Sequence, residues 1–159
     1  MMTHLVSVSG YNVEEPSQED YRDFVYAVEE RVKTLVQREV GVVHKFADGL
    51  YYREILIPKG HALTGRIHKQ NDLNIVYYGD ISVMTEHGTF LRIQGHASFP
   101  GKAGCKQFGV AHEDTLWATV HHTHLTDLDE IEDELFEDEP HVFDFKTGKI
   151  KEDTPCLPL

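Results

Sequence analysis

Residues 50–123 are a succession of short runs rich in aromatic and β-branched side chains, each cut off by a turn. Residues 51–58 run into Pro58-Lys59-Gly60, and 61–68 are broken at Gly65. Residues 73–78 close at Gly79-Asp80; 81–86 pair back onto them and turn at His87-Gly88 into 89–93. Residues 95–99 stop at Pro100-Gly101, 106–111 follow, and 115–121 end the series. Runs this short, bounded by glycine and proline, read as strands rather than helices. In the last of them Leu116, Ala118 and Val120 share one face and Trp117, Thr119 and His121 the other, the period of a half-buried strand. The pattern predicts a mainly β fold, a jelly-roll barrel of about eight short antiparallel strands.

The flanks read differently. Leu5, Val6 and Val8 suggest a short strand or arm. Ser17 followed by Asp20 has the form of a capping box. Tyr21, Phe24, Val25, Val28, Val32, Leu35 and Val36 then recur at helical spacing, with Glu29, Glu30, Arg31, Lys33 and Arg38 on the other face and Gly41 as the stop. Such a helix packs on the barrel or on another copy of itself. Beyond the barrel, Thr126-Asp127 caps a short acidic helix with Leu128, Ile131 and Leu135 as its apolar stripe, and Pro140 stops it. Residues 142–150 form a small hairpin or a tail that pairs with a neighbour. The division is an arm and helix over 1–49, the barrel over 50–124, and an acidic helix and tail over 125–159.

At 159 residues and 40% apolar content the chain is one domain with appendages. The net charge of −12 disfavours general binding to nucleic acid. Nine of the carboxylates fall in residues 127–139, a solvated face or a mimic of nucleic acid toward a basic partner. No run is apolar for the eighteen or so residues of a membrane span, and the N-terminus lacks the pattern of a secretory leader. Cys105 and Cys156 are too few for a disulfide framework. These features predict a cytoplasmic protein.

The words YYREILIPKG, GRIHK, LNIVYYGDISV and AHEDTLWATVH, spread over about residues 50–135, resemble the cupin superfamily and, more narrowly, small cupin-like proteins of bacteriophages. Metal-binding cupins carry two histidines one residue apart, a glutamate a few residues on, and another histidine after a Pro-x-Gly turn. Carried over, His68 matches the first histidine, Gln70 stands at the second, Asn74 near the glutamate and Cys105 near the last histidine. Neutral Gln and Asn are weak ligands for a transition metal. The resemblance therefore implies a cupin barrel without the usual metal site.

His68 is the first candidate site residue: a barrel-facing ligand for an anion or a metal, or a strand-end histidine held by a hydrogen bond. His112, Glu113, His121, His122 and His124 are the densest group of potential ligands. His68 and His121 in one barrel mouth, joined by Glu113 or Asp72, would supply an unorthodox site for a divalent metal. Lys69, Asn74, Tyr77 and Arg92, with Tyr52 and Arg53, are candidates to line a pocket for a nucleotide, sugar phosphate or carboxylate; alternation puts Asn74 and Tyr77 on opposite faces. Cys105, flanked by lysines, lies in a glycine-rich loop of no P-loop spacing. Three functions compete: a small-ligand-binding cupin, phage-encoded, that sequesters or senses a small anionic metabolite or nucleotide; a metal-dependent enzyme with a rearranged histidine site; and a structural or virion protein that uses the barrel as scaffold. Long additions on both sides of the barrel favour a homo-oligomer.

Overall fold

The structure is a computed structural model, described here for residues 18–85, 88–139, 144–149 and 151. Helix α1 (Gln18–Lys33) leads into seven strands: β1 (Val42–Ala47), β2 (Leu50–Ile57), β3 (Ala62–Thr64), β4 (Asp72–Met84), β5 (Phe90–Gln94), β6 (Ala97–Gly101) and β7 (Phe108–His122). Helix α2 (Leu128–Leu135) follows. All pairings are antiparallel, in the order β1-β2-β7-β4-β5, with β3 beside β7 and β6 beside β4. The mainly β architecture, the helix before it and the short acidic helix after it are as the sequence predicts, but α1 ends at Lys33 instead of Gly41 and leaves Leu35 and Val36 exposed. No helix among the described residues is long and apolar enough to cross a membrane.

The strand boundaries differ in instructive ways. Residues 73–78 and 81–86 do not form a hairpin; residues 72–84 are one strand, β4. Gly79 lies at φ +124°, where a Cβ would collide with Thr115. The register with β7 shifts between Val76 and Ile81. Gly79 is thus a bulge that bends the strand, not a turn that reverses it. The lower half of β4 pairs with β6 and the upper half with β5. Residues 106–111 and 115–121 likewise fuse into β7, whose ends hold β3 and β2. Strand β1, absent from the expected set, pairs with β2 across Asp48-Gly49, and Gly49 takes the positive φ such a tight hairpin needs. Only Ala62–Thr64 of the expected strand 61–68 is regular.

The bent sheet wraps round Ile55, Ile57, Val76, Ile81, Val83, Ile93 and Trp117. Helix α1 packs on the barrel, Tyr21 and Val25 against Met84 and Phe108. Glu29, expected on its solvated face, is buried: it accepts from Thr64 Oγ1 at 2.8 Å and lies 3.4 Å from Lys106 Nζ. Lys106 also meets Glu139 at 3.0 Å and the Gly65 carbonyl at 3.1 Å. Asp127 caps α2 by accepting from the amides of Asp129 and Glu130. Ile131 and Leu135 are buried against Tyr51, Phe136 and Phe145. The acidic segment is only partly a solvated face, since Glu132 pairs with Arg66, Glu134 accepts from Thr123, and Glu139 is buried. The N-terminal arm, the Ser17 cap, the His87 turn, residues 142–143 of the expected tail hairpin and Cys156 lie outside the described residues.

Candidate functional site

His68 precedes β4, Asp72 opens it, and His121 lies near the end of β7. The three offer ligand atoms within 4.8 Å of one another. Asp72 is almost wholly enclosed and both its oxygens are engaged. Asn74 Nδ2 donates to Oδ1 at 2.8 Å, and His68 Nδ1 bonds to Oδ2. Asn74 is fixed in turn, because Trp117 Nε1 donates to its Oδ1 at 3.0 Å. A relay of four side chains therefore aims Asp72 at His68. Gly101 completes the seat, for a Cβ there would strike the Asp72 carboxylate and the Asn74 amide.

The His121 ring is buried, 5.2 Å from the His68 ring and stacked on Tyr51 at 5.8 Å. Its Nε2 is out of solvent and has no hydrogen-bond partner among the described residues. Burial pushes its pKa down to about 4; nearby His68 and Arg53 add to the effect and Asp72 opposes it. The ring is neutral at pH 7, the form that ligates metals. Tyr51 braces it: Tyr51 Oη bonds to His44 Nδ1 at 2.8 Å, and His44 Nε2 bonds to the Lys146 carbonyl at 2.7 Å. The carbonyl can only accept, so Nε2 carries the proton and Nδ1 accepts from the tyrosine.

His68 and Phe136 border both this cluster and a cavity of about 390 Å³ on the concave side of the sheet. Its walls are apolar, built from Ile55, Ile57, Leu63, Ile81, Val83, Trp117 and Phe145, with Thr119, Arg53 and Arg66 among the polar groups. The segment after α1 and the turn at 144–148 cover its mouth. Val40 donates to the Gly148 carbonyl at 3.3 Å, and Gly148, at φ +71°, leaves no room for a side chain against Val40.

The other predicted site residues are elsewhere. Lys69 lies on the outside, donating to the Asp133 carbonyl at 2.7 Å. Tyr77 and Tyr52 meet on the outer face of the sheet. Arg92 forms a two-armed pair with Asp80, and Glu113 pairs with Lys59 at 2.7 Å, both in a second, more open groove. Asp72, not Glu113, therefore joins the two histidines. His112 bonds to Ser82, and His122 and His124 are exposed. The cupin-type set does not assemble: Asn74 is committed to Trp117 and Asp72, and Cys105 is half-buried in a turn. Arg66, Phe136 and Phe145 escaped sequence reasoning because they lie in segments with no period of their own.

No protein-family model matches the chain, and no curated protein matches its sequence. In three dimensions the chain is similar to cupin-domain proteins. The Cupin_2 domain of an XRE-family transcriptional regulator from Enterobacter cloacae is 10% identical over 54% of this chain and 98% of its own, with a TM-score of 0.46. Ectoine synthase from P. lautus is 16% identical over 65% of this chain and 77% of its own, with a TM-score of 0.49. KdgF from Halomonas sp. is 15% identical over 54% and 80%, with a TM-score of 0.44. Likeness at this level is one of general shape, and the chemistry has to be argued from this chain's own residues.

Proposed function

We propose that this chain is a small-ligand-binding barrel protein whose cavity adjoins a divalent-cation site made by His68, Asp72 and His121. The observation that carries the reading is His121 Nε2: a buried nitrogen on a neutral ring, without a partner among the described residues, beside a second imidazole and a carboxylate. A buried polar atom left unpaired costs about 1–3 kcal/mol, and a bound cation would satisfy it. Two imidazoles and one carboxylate suit first-row transition metals and leave coordination positions open. Asn74 and Trp117 hold the carboxylate as outer partners hold metal ligands. Such an ion would supply a Lewis-acid centre at the cavity edge.

Titration of metal-free protein with Co²⁺, followed by its visible absorption and by native mass spectrometry, tests this. The expected result is uptake of one ion per chain, abolished by His121→Ala and by Asp72→Asn. Uptake that ignores both substitutions, or none at all, removes the site.

A second reading concerns assembly. On the outer face of the sheet the registers align Leu56 with Leu116 and Tyr78, and Tyr52 with Val120 and Leu73. Leu56, Leu73 and Tyr78 are all exposed. An apolar sheet face of this kind fits a second copy of the chain. Light scattering should then give a dimer or larger assembly that Leu73→Asp dissociates; a monomeric wild type would end that reading.

A further inference from the structure

Arg53 presents a second unsatisfied group, of opposite character. It projects from β2 into the cavity in the row of Thr119, its β7 partner. Its guanidinium lies over the Phe145 ring at 5.1 Å. Its Nε is out of solvent and has no bonding partner among the described residues. Among the described residues no carboxylate forms an ion pair with it. The comparison with Arg66 is sharp. That side chain enters the same cavity and also has a buried Nε without a partner, but its other nitrogens reach Glu132 and the Glu137 carbonyl. Arg66 is neutralised and Arg53 is not. Burial pushes the Arg53 pKa below the usual guanidinium range; the Arg66 charge adds to this, and Tyr51 and Glu132 oppose it.

We infer that the cavity takes a small monocarboxylate with an apolar body, its carboxylate gripped by the Arg53 guanidinium. The inference rests on the reading of this cavity as the ligand site. A guanidinium held over an aromatic ring offers paired N–H donors in the geometry of a carboxylate. The walls around it, Ile55, Ile57, Val83 and Trp117, offer the rest of the ligand only apolar contact. A phosphate ester carries more charge than the Arg53 guanidinium answers, and Glu29 and Asp144 border the same cavity. The enclosed volume is that of a small-molecule site.

The test uses chelator-treated full-length protein, so that it is independent of the cation. Hexanoate and 3-phenylpropanoate are compared with hexanamide and with inorganic phosphate by thermal shift and by titration calorimetry. The two carboxylates should raise the melting temperature saturably, while hexanamide and phosphate leave it unchanged. Arg53→Met should weaken carboxylate binding about tenfold or more. Without ligand it should melt no lower than wild type, because it removes an unpaired buried charge. Hexanamide binding as well as hexanoate, phosphate binding more tightly than either acid, or neither acid binding would overturn the inference. So would an Arg53→Met protein that melts lower or fails to fold, since Arg53 would then be a structural cation. Co²⁺ uptake is measured apart: its loss with carboxylate binding retained fails only the cation site, and the reverse fails only the Arg53 ligand.

Discussion

Two buried clusters of ionisable side chains are built on different plans. In one, Lys106 is flanked by Glu29 and Glu139, and Glu139 also accepts from Tyr26 at 2.9 Å and from the Ile67 amide at 2.8 Å. Burial alone would raise the Glu139 pKa, but Lys106 and the Ile67 amide outweigh it and hold it below the ordinary value. In the other, His121 Nε2 and Arg53 Nε are buried with nothing to bond. The first cluster ties α1 and the segment after α2 to the barrel floor, and its groups answer one another. The second has groups left unanswered among the described residues. Full pairing marks a fastening and incomplete pairing marks a place for something else.

The largest effect is expected at the fastening. Lys106→Met leaves two buried carboxylates facing each other and should cost about 3–5 kcal/mol in urea unfolding. A loss under about 1 kcal/mol would make the two clusters alike.

The next effect is one of pH. Between pH 6.5 and about 4 the unfolded chain protonates His121 and the folded chain does not, so metal-free stability falls as pH falls through that window. The shift corresponds to at most about 3 kcal/mol. Tyr51, His68, Asp72 and Arg53 face this ring, so the difference between wild type and His121→Phe isolates its share. The variant should be less pH-sensitive in this range and no less stable at pH 7.

Gly101→Ala drives a methyl group at Asp72 and Asn74. It should cost about 1–3 kcal/mol and weaken Co²⁺ uptake while leaving hexanoate binding in place. Equal loss of both would mean that the cation end and the Arg53 end are one site. The smallest effect belongs to the exposed pairs. Arg92→Met and Glu113→Gln, predicted site residues that the fold sends to a surface groove, should change neither cation uptake nor carboxylate binding.

Local period made part of this legible from residue order alone. The alternation over 116–121 puts Trp117, Thr119 and His121 on one face, and the fold keeps that face inward. His68 and His121 were candidates for one mouth, and their rings lie 5.2 Å apart. Asp72 and Arg53 were among the alternatives, but spacing could not rank them above Glu113 and Arg92. The hairpin at Asp48-Gly49 carries its usual turn dipeptide in residue order alone. Gly79-Asp80 had the look of a turn and became a bulge, because the close approach of Thr115 is a tertiary fact.

Residue order decides what repeats at short range: strands of period two, helix stripes, the Asp127 cap, and the acidic excess over residues 127–139. Which atoms end up paired was decided only by the fold. Lys106 and Glu139 are thirty-three residues apart and meet, whereas Arg53 lines the cavity and, among the described residues, pairs with no carboxylate. Satisfaction of a buried charge depends on distances of a few ångströms between segments far apart in sequence, and no local pattern encodes them.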